Sequence, residues 1–325
     1  MLRSVQFLAS TVLLTSLLLS CQTTEKKPLQ TPVQPLPSVA EAQPEGLEVD
    51  LNSGHLVVGG RILDAKSGQR IQAEIALSVT GPDSSTLEKT EYRTQYVLVS
   101  LHLKQGIRPD LERPLKITVV AHGDDYFTSS TTVLLGDELE VFSLKMVHRK
   151  DAPDGIAVAS DSSAVIEGGA LRQSLDVLAL EKGTQSSARF ALEPGTVLTD
   201  SSGNALSGAL ETHVGYFSNA TADSLGAFPG GFMPTVSVGD QNRDGYFVTG
   251  GFVSVDITDS SGRKASNFSK PADLSIQIPA NTKNPETGQP VKAGEKIDVW
   301  SHDTKTGQWK NEGKGTVSEA DAKGN

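Results

Sequence analysis

From Leu51 onward the apolar residues of this chain recur with a period of two. The clearest runs lie at 56–58, 71–79, 96–103, 115–120, 133–135 and 139–147, and β-branched and aromatic side chains dominate them. Such residues suit a pleated, half-buried surface, so each run reads as a strand. Between runs one turn chemistry keeps returning: Asp64 to Gly68, Asp200 to Gly203, Asp259 to Gly262, Asn284 to Gly288 and Asp303 to Gly307. The Asp or Asn side chain caps the turn, and the Gly closes it. Many turns of this kind mean many hairpins, hence antiparallel sheets. No stretch sustains an i, i+3, i+4, i+7 apolar face; the best short helical candidate is 171–180. The pattern predicts an all-β body of two β-sandwich domains in tandem. A composition break at Arg149 to Gly155 sets the boundary, giving domains at 49–150 and 171–325 joined by a linker at 151–170.

The first 48 residues follow a different pattern. Arg3 supplies a basic start, an apolar run follows through Leu8, Leu13, Leu14 and Leu18, and Ser20 is a small residue before a cut. This is the layout of a signal peptide, residues 1–20, and it is short for a bilayer span. The step Leu18-Leu19-Ser20-Cys21 resembles the lipobox of bacterial lipoproteins. That resemblance implies cleavage before Cys21, a diacylglycerol on its thiol and an acyl group such as palmitate on its new amine. With Gln22 rather than Asp in the next position, it also implies anchorage in the outer membrane of a Gram-negative cell. Several acyl chains on one residue hold a protein to a membrane far more firmly than one. Residues 21–48 then carry Pro28, Pro32, Pro35, Pro37 and Pro44 among polar residues. So few apolar groups cannot offset chain entropy, and the segment reads as a disordered Pro-rich tether of about 3 Å per residue.

Charge and cysteine content narrow the function. The chain has 29 Lys+Arg against 39 Asp+Glu, a formal −10. Removing residues 1–20 takes one Arg with it, leaving 28 − 39 = −11. No basic block or basic stripe with interleaved aromatics occurs, which argues against a nucleic-acid partner. Cys21 is the single cysteine, so no internal disulfide forms and the body relies on core burial.

Two further resemblances concern the body. The stretch Val57 to Ile75, with its Gly60-Arg61-Ile62-Leu63-Asp64 step and Ser67-Gly68 turn, is similar to the opening hairpin of carboxypeptidase-regulatory-like domains. Lys116 to Tyr126 is similar to a later strand of that family, with Asp124 and Asp125 intervening before the Tyr. The resemblance implies a seven-stranded transthyretin-like sandwich that folds and docks rather than catalyses. In the second half, Pro194-Gly195, Pro229-Gly230, Gly251-Phe252-Val253 and Trp300-Ser301-His302-Asp303 up to Trp309 fall in an order similar to the extracellular β-domain of cartilage intermediate layer protein. That family carries one more strand after its last Trp, which implies a domain incomplete at its C-terminus.

Candidate chemistry is sparse. Asp240-Gln241-Asn242-Arg243-Asp244-Gly245 fits the first half of a calcium loop, with side-chain oxygens of Asp240, Asn242 and Asp244 on one hard cation. Its twelfth position holds Gly251 in place of a bidentate Glu, and a plain hairpin turn explains the same residues. Trp300 and Trp309 bracket a turn; exposed, they would stack on a sugar ring, and buried, they would close the end of a core. The six histidines (His55, His102, His122, His148, His213 and His302) show no metal-ligand spacing. Glu193, Glu211 and Asp256 carry no signal for a glycosidase pair. With no nucleophile elbow, zinc motif or phosphate loop, the chain reads as non-catalytic. It is expected to be a membrane-anchored lipoprotein presenting β-sandwich domains for a structural or protein-binding role, with an envelope or extracellular protein or a glycan as partner; the alternatives are a glycan-binding surface module and a calcium-stabilised adhesion module. A thermal melt separates the calcium alternative: a bound ion raises the midpoint over a chelated sample, and equal midpoints exclude it.

Overall fold

We describe a computed structural model of the chain. It describes residues 57–319, apart from 95–97, 111, 137–140, 182–186, 232–234, 239–240, 245–246, 280, 285–286 and 304–307. It also gives the backbone of Arg3–Thr11 and Leu14–Leu19. Cys21 and the Pro-rich segment 21–48 lie outside the described residues.

The body is nearly all strand, in accord with its period-two pattern. Residues 57–146 form two sheets. One has three strands in the order Leu98–His102, Val57–Asp64, Val141–Met146; the other has four, in the order Glu91–Thr94, Ile75–Thr80, Leu115–His122, Ser129–Leu135. Their inward faces share one core that includes Ile62, Leu77, Leu101, Ile117, Leu135 and Leu144. The alternation is visible in Ile75–Thr80, where buried and half-buried residues follow one another. Gly60 is fixed by packing rather than by a turn: a Cβ there would sit 2.1 Å from the ring of Phe142, its parallel-strand partner.

From Ile156 on, the chain builds a larger sheet around a second core with Val177, Phe190, Val214, Val255, Leu274 and Ile297. Its centre is the long antiparallel pair Gly208–Phe217 and Val248–Asp259. Ile156–Asp161 lies on the other edge of Gly208–Phe217, and Leu175–Leu180 with Ser187–Leu192 extends Asn267–Ile278. Segment 171–180, the helical candidate, is therefore strand. Leu175, Val177 and Ala179 alternate with outward Asp176, Leu178 and Leu180, so the period-two signal prevailed over the spacing of its leucines. The expected linker 151–170 likewise holds two strands of this sheet, Ile156–Asp161 and Val165–Glu167. Helix is confined, among the described residues, to Ala222–Gly226 and the single turn Ser84–Thr86; Thr221 caps the former through its hydroxyl.

The turn chemistry is as the sequence prescribes. Asp200 accepts from the backbone N–H groups of Ser202 and Asn204, and Asp259 from those of Ser261 and Arg263. Gly203 and Gly262 close these turns with φ of 84° and 76°, a region that favours glycine.

The backbone of the expected leader is itself paired. Arg3–Thr11 runs antiparallel between Asn267–Ile278 and Gln308–Glu319. Leu14–Leu19 runs antiparallel between Val248–Asp259 and Lys296–Asp303. These two segments bridge strands that, among the described residues, do not otherwise pair with one another.

A third cluster joins the two cores. Ala65, Phe127 and Val147 come from the turns and loops beside the N-terminal strands, Phe217, Phe252, Trp300 and Trp309 from strands of the C-terminal sheet, and Phe228 and Phe247 from its loops. Gly60→Ala is expected to lower stability by about 1–3 kcal/mol through overpacking against Phe142. Chemical denaturation measures it, and adding Phe142→Leu should recover part of the loss.

Candidate functional site

The polar residues with the most constrained geometry lie on the outward face of the C-terminal sheet, beside the seam. Register puts them there. Thr212, Val214 and Tyr216 point into the core, so the alternate residues Glu211 and His213 point away from it. Across the ladder Ser160 faces His213, and His213 faces Asp256, so three strands contribute one row.

His213 Nδ1 lies 2.7 Å from Ser160 Oγ, and its Nε2 lies 3.1 Å from Glu211 Oε1. An ionised carboxylate only accepts, so Nε2 carries the proton and Nδ1 accepts from the Ser160 hydroxyl. The ring is 7% exposed. Burial lowers its pKa from the ordinary 6.5 and the Arg149 guanidinium lowers it further, against the opposing pull of Glu211 and Asp256. The imidazole is therefore neutral at pH 7, as that tautomer requires.

Asp256 is held from the other side. Arg149 Nη2 donates to Asp256 Oδ2 at 2.6 Å, with the two side chains 10% and 15% exposed. Arg149 also donates to the Asp124 carbonyl, lies 5.7 Å from the Phe127 ring, and through its backbone N–H donates to the Asp125 carbonyl. One guanidinium thus ties the loop after Leu115–His122 to Val248–Asp259. On the N-terminal side, His122 Nδ1 pairs with Thr128 Oγ1 at 2.9 Å. Burial lowers its pKa, Lys264 adds to the fall, and Asp256 opposes it. His122, Asp256 and Lys264 line a cleft of about 910 Å³ between the two groups of sheets, with Glu91, Asp200 and Glu312 on its walls.

This arrangement polarises a hydroxyl and desolvates an ion pair. Ser160 is exposed on a strand facing His213 and does not line the cleft. Nor do three or more His, Cys, Asp or Glu side chains come together as a metal site among those residues.

The residues singled out in the sequence fall elsewhere. Trp300 and Trp309 are 8% and 0% exposed. Trp309 stacks on Phe228 with ring centroids 5.2 Å apart and donates its Nε1–H to the Pro229 carbonyl at 3.2 Å. A sugar platform needs an open ring face, so the glycan-stacking assignment is corrected: both indoles belong to the seam. Asn242 and Asp244 lie on a strand, Gln241–Asp244, paired antiparallel with Thr235–Val238. Asp240 and Gly245 lie outside the described residues, as does Cys21. Ser160, Arg149 and the role of His213 were missed because the row assembles residues more than 40 positions apart. The usable signal was the alternation in 208–217, which places a His and a Glu on the face away from the core.

The chain matches no protein-family model, and no curated protein or solved structure is similar to it.

Removing one partner of the ion pair strands the other. Asp256→Ala should cost about 3 kcal/mol, because Arg149 keeps its charge beside Phe127 without a carboxylate. The double variant Arg149→Met, Asp256→Leu should recover most of that loss in urea denaturation.

Proposed function

We propose that this chain is a cell-envelope lipoprotein, anchored through Cys21 to the outer membrane of a Gram-negative bacterium. Its β-sandwich domains serve a structural or protein-binding role without catalysis. The observation that carries this reading is the step Leu18-Leu19-Ser20-Cys21: the single cysteine of 325 residues stands directly after an apolar run and directly before a proline-rich tether. One feature of the body supports it: among the described residues, the strands of 57–146, three in one sheet and four in the other, accord with the number implied by the carboxypeptidase-regulatory-like resemblance.

On this reading Arg3–Thr11 and Leu14–Leu19 are strands of the precursor and leave with the leader. Gln277 bears on that point. It is 2% exposed, sits opposite Ser4 in the ladder, and neither atom of its side-chain amide has a partner. An unpaired buried amide costs about 1–3 kcal/mol, a burden that release of the neighbouring strand would lift.

Cells expressing the chain and fed an alkyne palmitate analogue should label it, and Cys21→Ala should abolish the label and move the protein from the membrane fraction to the soluble one. Intact mass should show a lipid-bearing chain that starts at Cys21. An unlabelled chain that retains Met1 overturns the reading.

A further inference from the structure

The slot that Arg3–Thr11 fills in the C-terminal sheet sets narrow requirements on its occupant. Asn267–Ile278 and Gln308–Glu319 both run antiparallel to Arg3–Thr11, so across the slot they are parallel to one another. An inserted antiparallel strand serves both edges, whereas direct closure would need a parallel pair, which is slightly weaker per residue. Ladder positions 3, 5 and 7 stand opposite Ile278, Ile276 and Leu274, and position 5 also stands opposite Val317. All four of these residues belong to the buried C-terminal core. Positions 4 and 6 stand opposite Gln277 and Ser275 on one edge and Ser318 and Thr316 on the other. A fitting strand therefore alternates, apolar at three positions and hydrogen-bonding at the two between them. With Arg3–Thr11 in place, Gln277 is 2% exposed and neither atom of its amide has a partner.

In a chain that starts at Cys21, one stretch before Val57 carries that alternation: Leu47-Glu48-Val49-Asp50-Leu51. Upstream, the five prolines between 28 and 44 lack the N–H that a ladder needs, and 22–27 hold no apolar side chain. In the register of positions 3 to 7, Leu47, Val49 and Leu51 come opposite Ile278, Ile276 and Leu274, and Val49 opposite Val317. Glu48 then falls between Gln277 and Ser318, where its carboxylate accepts from the orphaned amide, and Asp50 falls between Ser275 and Thr316. Val57–Asp64 runs toward Ala65, which belongs to the seam cluster, whereas no described residue of that strand does. Val57 is thus about 23 Å back along the strand from Asp64. The link from Leu51 to Val57 spans about 20 Å at most, so the arm is offered to a neighbour.

We propose that residues 47–51 of one mature copy insert into the slot of a second copy, taking the ladder position that Arg3–Phe7 holds in this structure. The proposal rests on removal of the leader as read above. Attachment of both copies to one membrane brings arm and slot together at high effective concentration.

Disulfide trapping in cells tests it. Two differently tagged full-length copies are expressed together, one with Glu48→Cys and the other with Gln277→Cys. A second couple carries Asp50→Cys and Thr316→Cys, so the test stands even where Gln277→Cys disturbs folding. Each couple should give a linked species that contains both tags, and adding Val49→Lys to the arm-bearing copy should abolish it. Intact mass separates the two possible failures. A chain that starts at Cys21 and forms neither link overturns the insertion alone, and one that retains Met1 overturns it together with the leader. Glu48→Cys and Gln277→Cys placed in one chain, linking within that chain and not between copies, overturn the second copy as the donor.

Discussion

Burial of aromatic rings across the seam is the constraint on which the rest of the structure depends. Phe127 from one side meets Phe217 from the other at a centroid distance of 6.0 Å, Phe217 stacks on Phe252 at 4.0 Å, and Phe228 links Phe252 to Trp309. Each such ring withdraws about 150–250 Å² from water. The consequence is electrostatic as well as hydrophobic. Phe127 lies against the Arg149 guanidinium, so the Arg149–Asp256 pair sits with an apolar wall on one side and little solvent on the other. Lower effective dielectric strengthens that attraction and raises the cost of any further positive charge beside it. The neutral state of His213 follows from the same wall.

The polar row owes its existence to register. Ser160, His213 and Asp256 stand side by side because three antiparallel strands align them, and a slip of one residue in any strand would turn that side chain into the core. The core-facing positions Thr212, Val214 and Tyr216 therefore specify the polar row indirectly: by fixing which face is buried, they fix which face is not. Fold and site share one set of determinants.

Much of the architecture was legible along the chain, and its limits have physical causes. The strands of 57–146 and the Asp-Ser-Ser-Gly turns follow from local rules, since alternation and side-chain capping act within a few residues. Segment 171–180 stood as the best short helical candidate because Leu171, Leu175 and Leu178 satisfy a helical spacing, which the pairing of Leu175–Leu180 with Ser187–Leu192 overrode. Strands 156–161 and 165–167 were hidden in an expected linker because Pro153 and Gly155 precede them and polar residues interrupt them. The buried tryptophans could not be told from exposed ones, since burial depends on partners such as Phe228 and Pro229 that are far away in sequence. Of the row around His213 only the alternation in 208–217 was local; its partners Ser160 and Asp256 come from distant strands.

The pairing of Arg3–Thr11 and Leu14–Leu19 has a kinetic consequence. Their strand partners begin at Val248 and end at Glu319, so every one of these ladders closes a loop of more than 200 residues. At a synthesis rate of about 5–20 residues per second, the first strand waits roughly 15–60 s for its last partner to leave the ribosome. For most of that interval, until Val248–Asp259 is made, the N-terminal apolar segment has no strand to join, and whatever recognises it in the cell competes with an unmade protein rather than with a folded one. Loop closure over such a span is slow even once the partners exist. On the proposed reading, the order of synthesis gives export machinery the first claim on this segment and the sheet the second.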